Sequence, residues 1–258
     1  MPHVTFVGAD ALAASLGTFE TARPVVVIGG GVDGRAGRAA DAVAQGADVF
    51  LTWPPAASAQ DASGLLQRAE EAGVEVGVAR PLGARALVGV PDGWAARLVT
   101  LTLVARTGGA LAQAGWAGLL AGAVGVCLTL ADARDSSRLE AVAERDGGAI
   151  RAVALAGKLE TGAHVQAVVR LSDHLSQDTV ALYASRPGSR VEAQSLDGPL
   201  CVEVEGQRAP AAQAGEGHAA AEVRAFARAV GAGRPPPYGL DGALAALRLV
   251  ERVRQQLR

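Results

Sequence analysis

Aromatic residues make up only 3% of this sequence, and lysine occurs once, as Lys158. The core must therefore be built mainly from Ala, Val, Leu and Gly, which gives small-residue packing between layers. Arginine supplies almost all of the positive charge, and acidic residues balance it to a net charge of -2. This balance gives no electrostatic reason to expect nucleic acid or an anionic membrane as a partner.

Cysteine and long apolar runs are also scarce. Cys127 and Cys201 both lie in apolar segments, which favours two buried, reduced thiols over a disulfide or a metal-binding pair. The N-terminal MPHVTFVGAD has neither the basic segment nor the apolar run of a signal peptide. The longest apolar stretch, residues 116–131, contains three glycines and is shorter than a membrane span of about 20 residues. We therefore expect a cytoplasmic protein.

The first part of the chain alternates apolar strands with helices. Strands are predicted at 3–8, 25–28, 49–52 and 74–78, and helices at 9–19, at 35–45 and between the last two strands. Strand–helix–strand units of this length need right-handed crossovers and a parallel sheet. We predict a reduced Rossmann-like, doubly wound α/β domain over residues 1–92. Ligands of such sheets bind at the carboxyl ends of the strands.

The second part, residues 93–258, is predicted to be an α+β domain with an open, largely antiparallel sheet. Turn signals such as Arg186-Pro187-Gly188 separate its strands, and short links of this kind favour antiparallel pairing. The predicted strands cover 97–106, 150–155, 164–171, 179–184, 190–194 and 200–205. The predicted helices cover 108–130, 132–145 (charged and exposed), 218–230 and 241–257.

The clearest local motif is Gly29-x-Gly31-x-x-Gly34, which follows the apolar run VVVI and precedes a helix. In dinucleotide-binding proteins these glycines allow a tight turn and close approach of the backbone to pyrophosphate. A lone match is weak evidence in a chain with 33 glycines, however. The next strand ends in Thr52-Trp53 rather than in the acid that binds the ribose. We therefore favour a glycine-rich loop that closes a buried strand.

The turn after the first strand matches a phosphate turn less well. It keeps only Gly8 in a glycine position, and it contains Asp10. The Asp10 side chain could cap the helix that follows. A negative charge at this point would repel a phosphate.

His174 lies close to Asp173 and Asp178 and suggests either an acid–base cluster or a metal cluster. Neighbouring residues in a chain seldom converge on one point, and this stretch connects two predicted strands. We therefore favour a solvated loop. The other histidines have no ligand spacing, so no metal site is predicted.

Three segments carry a resemblance to a known family. ADVFLTWPP and VEVGVARP look like strands that end in Thr-Pro-Pro and Glu-Lys-Pro. EVRAFARAVGAGRPPP looks like a closing helix with a Gly-Arg-Pro-Pro link, and RVEAQSLDGPLCVE looks like a sheet segment around a Gly-Thr-Glu-Gly turn. Together they resemble the Gfo/Idh/MocA family of NAD(P)-dependent sugar and polyol dehydrogenases.

The resemblance implies an oxidoreductase that binds NAD or NADP and acts on a sugar-like or polyol-like substrate. It implies a homo-oligomer formed through the C-terminal sheet. It also implies where the cofactor binds, which is near Gly8, Thr52, Trp53, Pro54 and Arg80.

The sequence departs from the family at the catalytic positions. Arg80 stands at the family lysine, and arginine stays protonated near neutral pH, so it cannot shuttle protons. Cys127 stands at the family histidine, while Ala123 and Leu130 stand at two aspartates. If residues 3–8 are the family's first strand, the turn 29–34 falls at the ribose-binding acid and the phosphate turn is lost.

These departures leave two hypotheses. The first is an NAD(P)-dependent oxidoreductase with degenerate catalytic and cofactor motifs. The second is a non-catalytic relative, a pseudoenzyme, that binds a small molecule or a protein partner; in either case the departures leave open whether NAD or NADP still binds.

Overall fold

The chain forms two compact units. The computed structural model describes residues 4–10, 13–14, 21, 23–80, 94–109, 111–193, 201–204, 207–209 and 218–258. One unit comprises Met1–Arg80 and Gly215–Leu244, and the other comprises Pro81–Ala214 and Ala245–Arg258. This division differs from two continuous domains, 1–92 and 93–258, because a C-terminal segment returns to the first unit.

The first unit is built on a parallel sheet with the strand order β1-β2-β3-β4. Every neighbouring pair is parallel, as the strand–helix–strand pattern predicts. Helix α1 connects β2 to β3, and helix α2 connects β3 to β4. The bounds are β1 (Val4–Val7), β2 (Val25–Ile28), α1 (Arg35–Ala44), β3 (Asp48–Leu51), α2 (Ala59–Ala72) and β4 (Val76–Val78).

Both faces of β2 and β3 are buried, which explains why both strands are apolar except for Asp48, the first residue of β3. Side chains alternate between the faces along each strand. Val27 and Phe50 lie on one face, in a cluster with Phe226 of helix α4 (His218–Gly231). Val49 and Leu51, each 0% exposed, lie on the opposite face, and α1 contacts both β2 and β3. The first unit therefore has the helix–sheet–helix layers of an α/β domain.

Local signals fix both ends of α2. The Ser58 side chain accepts a hydrogen bond from the backbone N–H of Asp61 at 3.0 Å, which satisfies one free donor at the start of the helix. Gly73 ends the helix in the left-handed conformation, with φ of 63°. The sequence between the two strands thus encodes the helix boundaries directly.

The C-terminal segment of the first unit extends the sheet at its β4 edge. The N–H of Val78 donates to the carbonyl oxygen of Tyr238 at 2.9 Å, and Gly77 forms an antiparallel bridge with Gly239. The Gly-Arg-Pro-Pro-Pro link therefore leads the chain back to an edge whose own strand has only three residues.

The second unit contains an eight-stranded sheet with the order β12-β11-β10-β9-β5-β8-β7-β6. Among the strands that the structure describes, only β5 and β8 pair in parallel, so the sheet is largely antiparallel, as predicted. The bounds are β5 (Leu98–Arg106), β6 (Ser136–Asp146), β7 (Ala149–Leu159), β8 (His164–Ser172), β9 (Thr179–Arg186), β10 (Ser189–Ala193), β11 (Cys201–Val204) and β12 (Gln207–Ala209).

Helix α3 (Gly115–Ala131) packs against β5, β7 and β8 of this sheet. A short 3-10 turn, Leu111–Ala114, precedes it. The helix is apolar on all sides, which is typical of a helix that is buried all round. The closing helix α5 (Leu240–Gln256) begins in the first unit and continues into the second.

The predicted charged helix over 132–145 is wrong, because this segment forms the edge strand β6. Leu, Ala, Glu and Arg dominate it and favour a helix locally. Gly147 and Gly148, with φ of 55° and 87°, instead turn the chain back so that β6 pairs with β7. Within the strand Leu139, Ala141 and Ala143 are half-buried and alternate with exposed residues. Pairing with β7 outweighs the local helix preference.

Some predictions fall outside the described residues. The predicted helix over 9–19 is described only at residues 9–10 and 13–14, and the predicted domain boundary lies within the undescribed residues 81–93. Within the ranges that are described, no helix is both long enough and apolar enough to cross a membrane.

Candidate functional site

The order of strands in the sheet changes the interpretation of the glycine motif. In the usual dinucleotide-binding sheet, the strand with the phosphate turn lies between the second and fourth strands. Here β2 lies between β1 and β3, and its glycine-rich turn leads into α1. The strand β1, which chain order had matched to the family's first strand, lies at the outside of the described sheet. Residues 29–34 therefore take the place of the phosphate turn.

The turn after β2 has the backbone geometry that glycine permits. Gly30 and Gly34 have φ of 74° and 71°, in the left-handed region that favours glycine. A Cβ atom on Gly29 would lie 2.7 Å from the carbonyl oxygen of Gly8, so the loops after β1 and β2 touch. A Cβ atom on Gly31 would meet no atom of the described residues within 4 Å. The described part of the chain therefore leaves space beside Gly31.

Arg35, the first residue of α1, lies beneath this turn and is only 3% exposed. Its Nη1 atom donates hydrogen bonds to the carbonyl oxygens of Thr52, at 2.9 Å, and Pro54. Its Nη2 atom donates to the carbonyl oxygen of Gly30. The guanidinium thus connects the loop after β2 to the loop after β3. Among the described residues, no carboxylate pairs with it.

Two buried hydrogen-bond donors near the carboxyl ends of β2 and β3 have no acceptor among the described residues. The described part of the chain contains three buried side-chain N or O atoms without a hydrogen-bond partner, and two of them are Arg35 Nε and Trp53 Nε1. The third, Asp48 Oδ2, lies 3.5 Å from Arg23 Nε and therefore has a charged partner. Buried donors are nearly always satisfied in native proteins. Their concentration here indicates an incomplete site.

The predicted cofactor residues lie at this edge or beside it. Gly8 touches the glycine turn, and the Thr52 and Pro54 carbonyls hold Arg35. The peptide bond between Trp53 and Pro54 is cis. Nothing in the sequence marked Arg35 as a site residue, because arginine is rarely buried without a charged partner.

These residues fit a phosphate-bearing cofactor. The turn presents an open backbone, and a ten-residue helix begins directly after it. The N-terminus of such a helix attracts anions through its free N–H groups and its dipole. Arg35 and Arg38 add positive charge at the same end of the helix.

No protein-family model and no curated protein matches the chain, but solved structures do. UDP-N-acetylglucosamine 3-dehydrogenase GnnA from Acidithiobacillus ferrooxidans matches with a TM-score of 0.78 at 15% identity, over 90% of this chain and 78% of that chain. A Gfo/Idh/MocA family oxidoreductase from Vibrio cholerae matches with a TM-score of 0.69 at 17% identity, over 90% and 78%. The chain has the Gfo/Idh/MocA oxidoreductase fold.

Another structural neighbour was solved with a cofactor. An oxidoreductase from Agrobacterium radiobacter in complex with NAD+, L-tartaric acid and magnesium matches with a TM-score of 0.64 at 15% identity. The match covers 96% of this chain and 80% of that chain. Identities this low establish the fold alone.

Arg80, which the sequence resemblance matches to the family lysine, is held by a carboxylate. Its backbone N–H donates to both Glu222 oxygens, at 3.3 and 3.2 Å, and its Nη1 lies 3.7 Å from Glu222 Oε1. The Arg80 and Glu222 side chains are 22% and 9% exposed. This pairing joins residues 142 positions apart, and no sequence pattern predicted it. This contact gives Arg80 a structural role at the end of β4.

Cys127, which the sequence resemblance matches to the family histidine, is buried in the second unit. It lies on α3 and is 1% exposed, and Ala123 and Leu130 on the same helix are 0% and 1% exposed. Burial raises the pKa of the Cys127 thiol to about 12. The thiol is therefore protonated at neutral pH and is a poor nucleophile where it lies. The side chain of Cys201 lies outside the described residues.

We expect Cys127 to resist alkylation in the folded protein. Iodoacetamide reacts with thiolates, and both the burial and the raised pKa keep the thiol protonated and covered. Peptide mapping at pH 8 should show the Cys127 peptide unlabelled under native conditions and fully labelled in guanidinium. Rapid native labelling would contradict the buried position.

His174 lies in the loop between β8 and β9, where its backbone N–H donates to the Ser172 side chain at 3.3 Å. Asp173 forms an ion pair with Arg151 at 3.8 Å, and Asp178 accepts a hydrogen bond from the backbone N–H of Arg106 at 2.7 Å. The described residues contain no group of three or more metal-ligating side chains. The two carboxylates therefore bind other groups of the protein, as in the favoured loop interpretation.

The second unit also has an open cavity of about 470 Å³ beside Trp94 that the sequence did not predict. Arg186 stacks over the Trp94 ring at 5.7 Å, and Trp94 Nε1 donates to Ser189 at 2.7 Å. Among the described residues, no buried polar atom without a hydrogen-bond partner lies at this cavity. This cavity is therefore weaker evidence for a ligand site than the loops at the carboxyl ends of β2 and β3. The lining residues are Arg97, Tyr183, Ser185, Arg186, Pro187, Gly188, Ser189 and Arg190.

Proposed function

We propose that the chain is an NAD(P)-binding protein of the oxidoreductase type that acts on a sugar-like or polyol-like substrate. The observation that carries this proposal is the glycine-rich turn of an inner parallel strand, which opens directly onto the N-terminus of α1. A bound nicotinamide would accept or donate a hydride.

In this proposal, different residues at the carboxyl edge of the sheet bind different parts of the cofactor. The turn 29–34 and the N-terminus of α1 hold the pyrophosphate, and Thr52-Trp53-Pro54 forms a wall beside it. Asp10 follows β1, the strand next to β2, and is exposed. It stands where an acid binds the ribose hydroxyl groups, so the neighbouring strand supplies the acid missing after β3.

The substrate class is supported by the printed names of the neighbours. One is a UDP-N-acetylglucosamine 3-dehydrogenase, and another was solved with L-tartaric acid, a polyhydroxy acid. A cytoplasmic location and a homo-oligomer formed through the C-terminal sheet complete the proposal.

A second candidate is a relative that binds the cofactor or another small molecule without catalysis. It is favoured by the environments of Arg80 and Cys127, the two residues that the sequence resemblance places at catalytic positions. Arg80 is paired with Glu222, and Cys127 is buried and protonated. Neither position offers a group that exchanges a proton near neutral pH.

Titration with NADH and with NADPH tests the proposed function. Binding of either, followed by nicotinamide fluorescence or calorimetry, is expected below about 1 mM, the upper end of common Michaelis constants. No binding of either cofactor at that concentration would refute the proposal. Where binding is found, NADH or NAD+ turnover on a panel of sugars and polyols decides between the enzyme and the non-catalytic binder.

A further inference from the structure

Two cavities adjoin each other at one end of the sheet of the second unit. The first is the cavity of about 470 Å³ beside Trp94, and the second has a volume of about 440 Å³. Arg97, Arg186 and Pro187 line both, so the two cavities meet at these side chains. All of their lining residues belong to the second unit, whereas the residues proposed to hold the cofactor belong to the first.

The strand register brings three arginines to this end of the sheet. Arg97 directly precedes β5, and its backbone N–H donates to the carbonyl oxygen of Ser185 on β9 at 2.7 Å. Arg186 ends β9, and Arg190 of β10 is the strand partner of Ser185. The three arginines therefore lie at or near the ends of three neighbouring strands, and all of them line the 470 Å³ cavity. A cavity lined by charge of one sign attracts ligands of the opposite sign.

Two of the three arginines have no carboxylate partner among the described residues. The Arg97 side chain donates only a long hydrogen bond, of 3.4 Å, from Nη1 to the carbonyl oxygen of Thr161. Arg186 donates from Nε to the Ser189 side chain at 3.1 Å and stacks over the ring of Trp94. None of the described residues that line either cavity is acidic. The remaining N–H groups of these two guanidiniums have no acceptor in the described part of the chain and can bind a ligand.

Ser189 contributes a third donor, because both acceptor positions of its hydroxyl group are occupied. Its Oγ atom accepts hydrogen bonds from Trp94 Nε1 at 2.7 Å and from Arg186 Nε at 3.1 Å. A hydroxyl group has two acceptor lone pairs and one O–H, so the O–H is left to donate to a ligand. Trp94 is 4% exposed, so its ring and the Ser189 hydroxyl hold the Arg186 guanidinium in place before a ligand binds.

We propose that Arg97, Arg186 and Ser189 bind the phosphate group of a phosphate monoester. The three side chains offer donors only, so their ligand must supply acceptors, and two guanidiniums without a carboxylate favour a dianion. The donors come from the ends of three neighbouring strands, which suits the three terminal oxygens of a tetrahedral phosphate better than the two coplanar oxygens of a carboxylate. The second cavity, lined partly by alanine side chains, leaves room for the organic part of the ester. The proposed site does not depend on cofactor binding.

Calorimetry of the full chain with inorganic phosphate, glucose 6-phosphate, glucose and glucuronate tests this site. Inorganic phosphate and glucose 6-phosphate should bind at millimolar concentration. Glucose, which lacks the charge, should bind at least about tenfold more weakly than glucose 6-phosphate. Glucuronate carries a single carboxylate on a similar ring, and it should bind severalfold more weakly than glucose 6-phosphate.

Two variants locate the binding. Arg97→Gln and Arg186→Gln should each weaken the binding of phosphate and glucose 6-phosphate by at least about tenfold. Arg190→Gln is the matched control and should have a clearly smaller effect, because Arg190 lines the same cavity but already pairs with Glu192 at 3.7 Å. If Arg186→Gln does not fold without its contact to Trp94, the variant at the exposed Arg97 decides the test alone. Thermal melts show which variants are folded.

The outcomes separate the phosphate site from the proposed function. Weaker ester binding in the folded Arg97 and Arg186 variants supports the site even if neither NADH nor NADPH binds. Ester binding that is unchanged in both variants would refute the site and place the phosphate elsewhere, for example at the turn 29–34. Absence of phosphate and glucose 6-phosphate binding at millimolar concentration would also refute the site, whatever the cofactor titration shows. Binding of inorganic phosphate alone, or equally tight binding of glucuronate, would overturn the phosphate monoester as the ligand.

Discussion

Replacing Phe226 by alanine is expected to lower the free energy of unfolding of the first unit by about 3–5 kcal/mol. Phe226 is 1% exposed and belongs to the cluster that joins α4 to the sheet. Its ring lies 5.5 Å from the ring of Phe50, in a tilted arrangement. Alanine would leave a cavity at the point where the C-terminal segment packs on β2 and β3.

Hydrogen exchange of the β2 and β3 amides measures this loss for the first unit alone. Val142→Ala in the second unit is the control, because Val142 is 69% exposed and its loss should change stability by no more than about 0.5 kcal/mol. Unchanged protection of β2 and β3 in Phe226→Ala would contradict the packing described for α4.

Gly77 supplies a coupled test of the same contact. A Cβ atom on Gly77 would lie 2.4 Å from Phe226 Cδ2, so Gly77→Ala should cost about 1–3 kcal/mol through overpacking. In the Phe226→Ala background the added methyl group meets a cavity, and that cost should disappear. Simple addition of the two costs would indicate that the residues do not touch.

Much of the fold follows from local patterns in the sequence. The β-branched run Val25–Ile28 forms a buried strand as predicted, because strands buried on both faces are apolar throughout. The helix Ala59–Ala72 has its own cap residues, Ser58 and Gly73. By contrast β6 was predicted to be a helix, since its pairing with β7 is a tertiary effect that local propensity does not contain.

The candidate site was harder to predict because it depends on sheet order. Chain order matched β1 to the family's first strand and left Gly29–Gly34 without a role. The observed order puts β2 inside the sheet. In the proposed function its glycines therefore form the phosphate turn, and Asp10, which follows β1, takes the place of the ribose-binding acid. Position in a sheet is set by long-range packing, so a single sequence could not reveal it.

Arg35 and Glu222 escaped prediction for a related reason. Each is an ordinary charged residue on a helix, and nothing near it in the sequence marks its partner. Arg35 donates hydrogen bonds to carbonyl oxygens on two different loops, and Glu222 accepts one from the backbone N–H of Arg80 after β4. Both contacts exist only after the chain has folded.

Glu222→Ala is expected to destabilise the first unit by about 2–3 kcal/mol. The carboxylate accepts the backbone N–H of Arg80 and pairs with its guanidinium, and both side chains are largely buried. Removing it leaves a partly buried donor and a partly buried charge without their principal acceptor, each of which is costly. The loss should appear as reduced exchange protection in β3 and β4.

Arg80→Lys is the matched variant, and it should cost less than about 1 kcal/mol. The hydrogen bond from residue 80 to Glu222 comes from the backbone, and lysine keeps a positive charge near the carboxylate. If Glu222→Ala costs no more than Arg80→Lys, the contact does not anchor the end of β4. If the order of costs is as expected, Arg80 stands at the lysine position as a structural residue. Gain of turnover in Arg80→Lys would then mark the position as one where catalysis was lost by substitution.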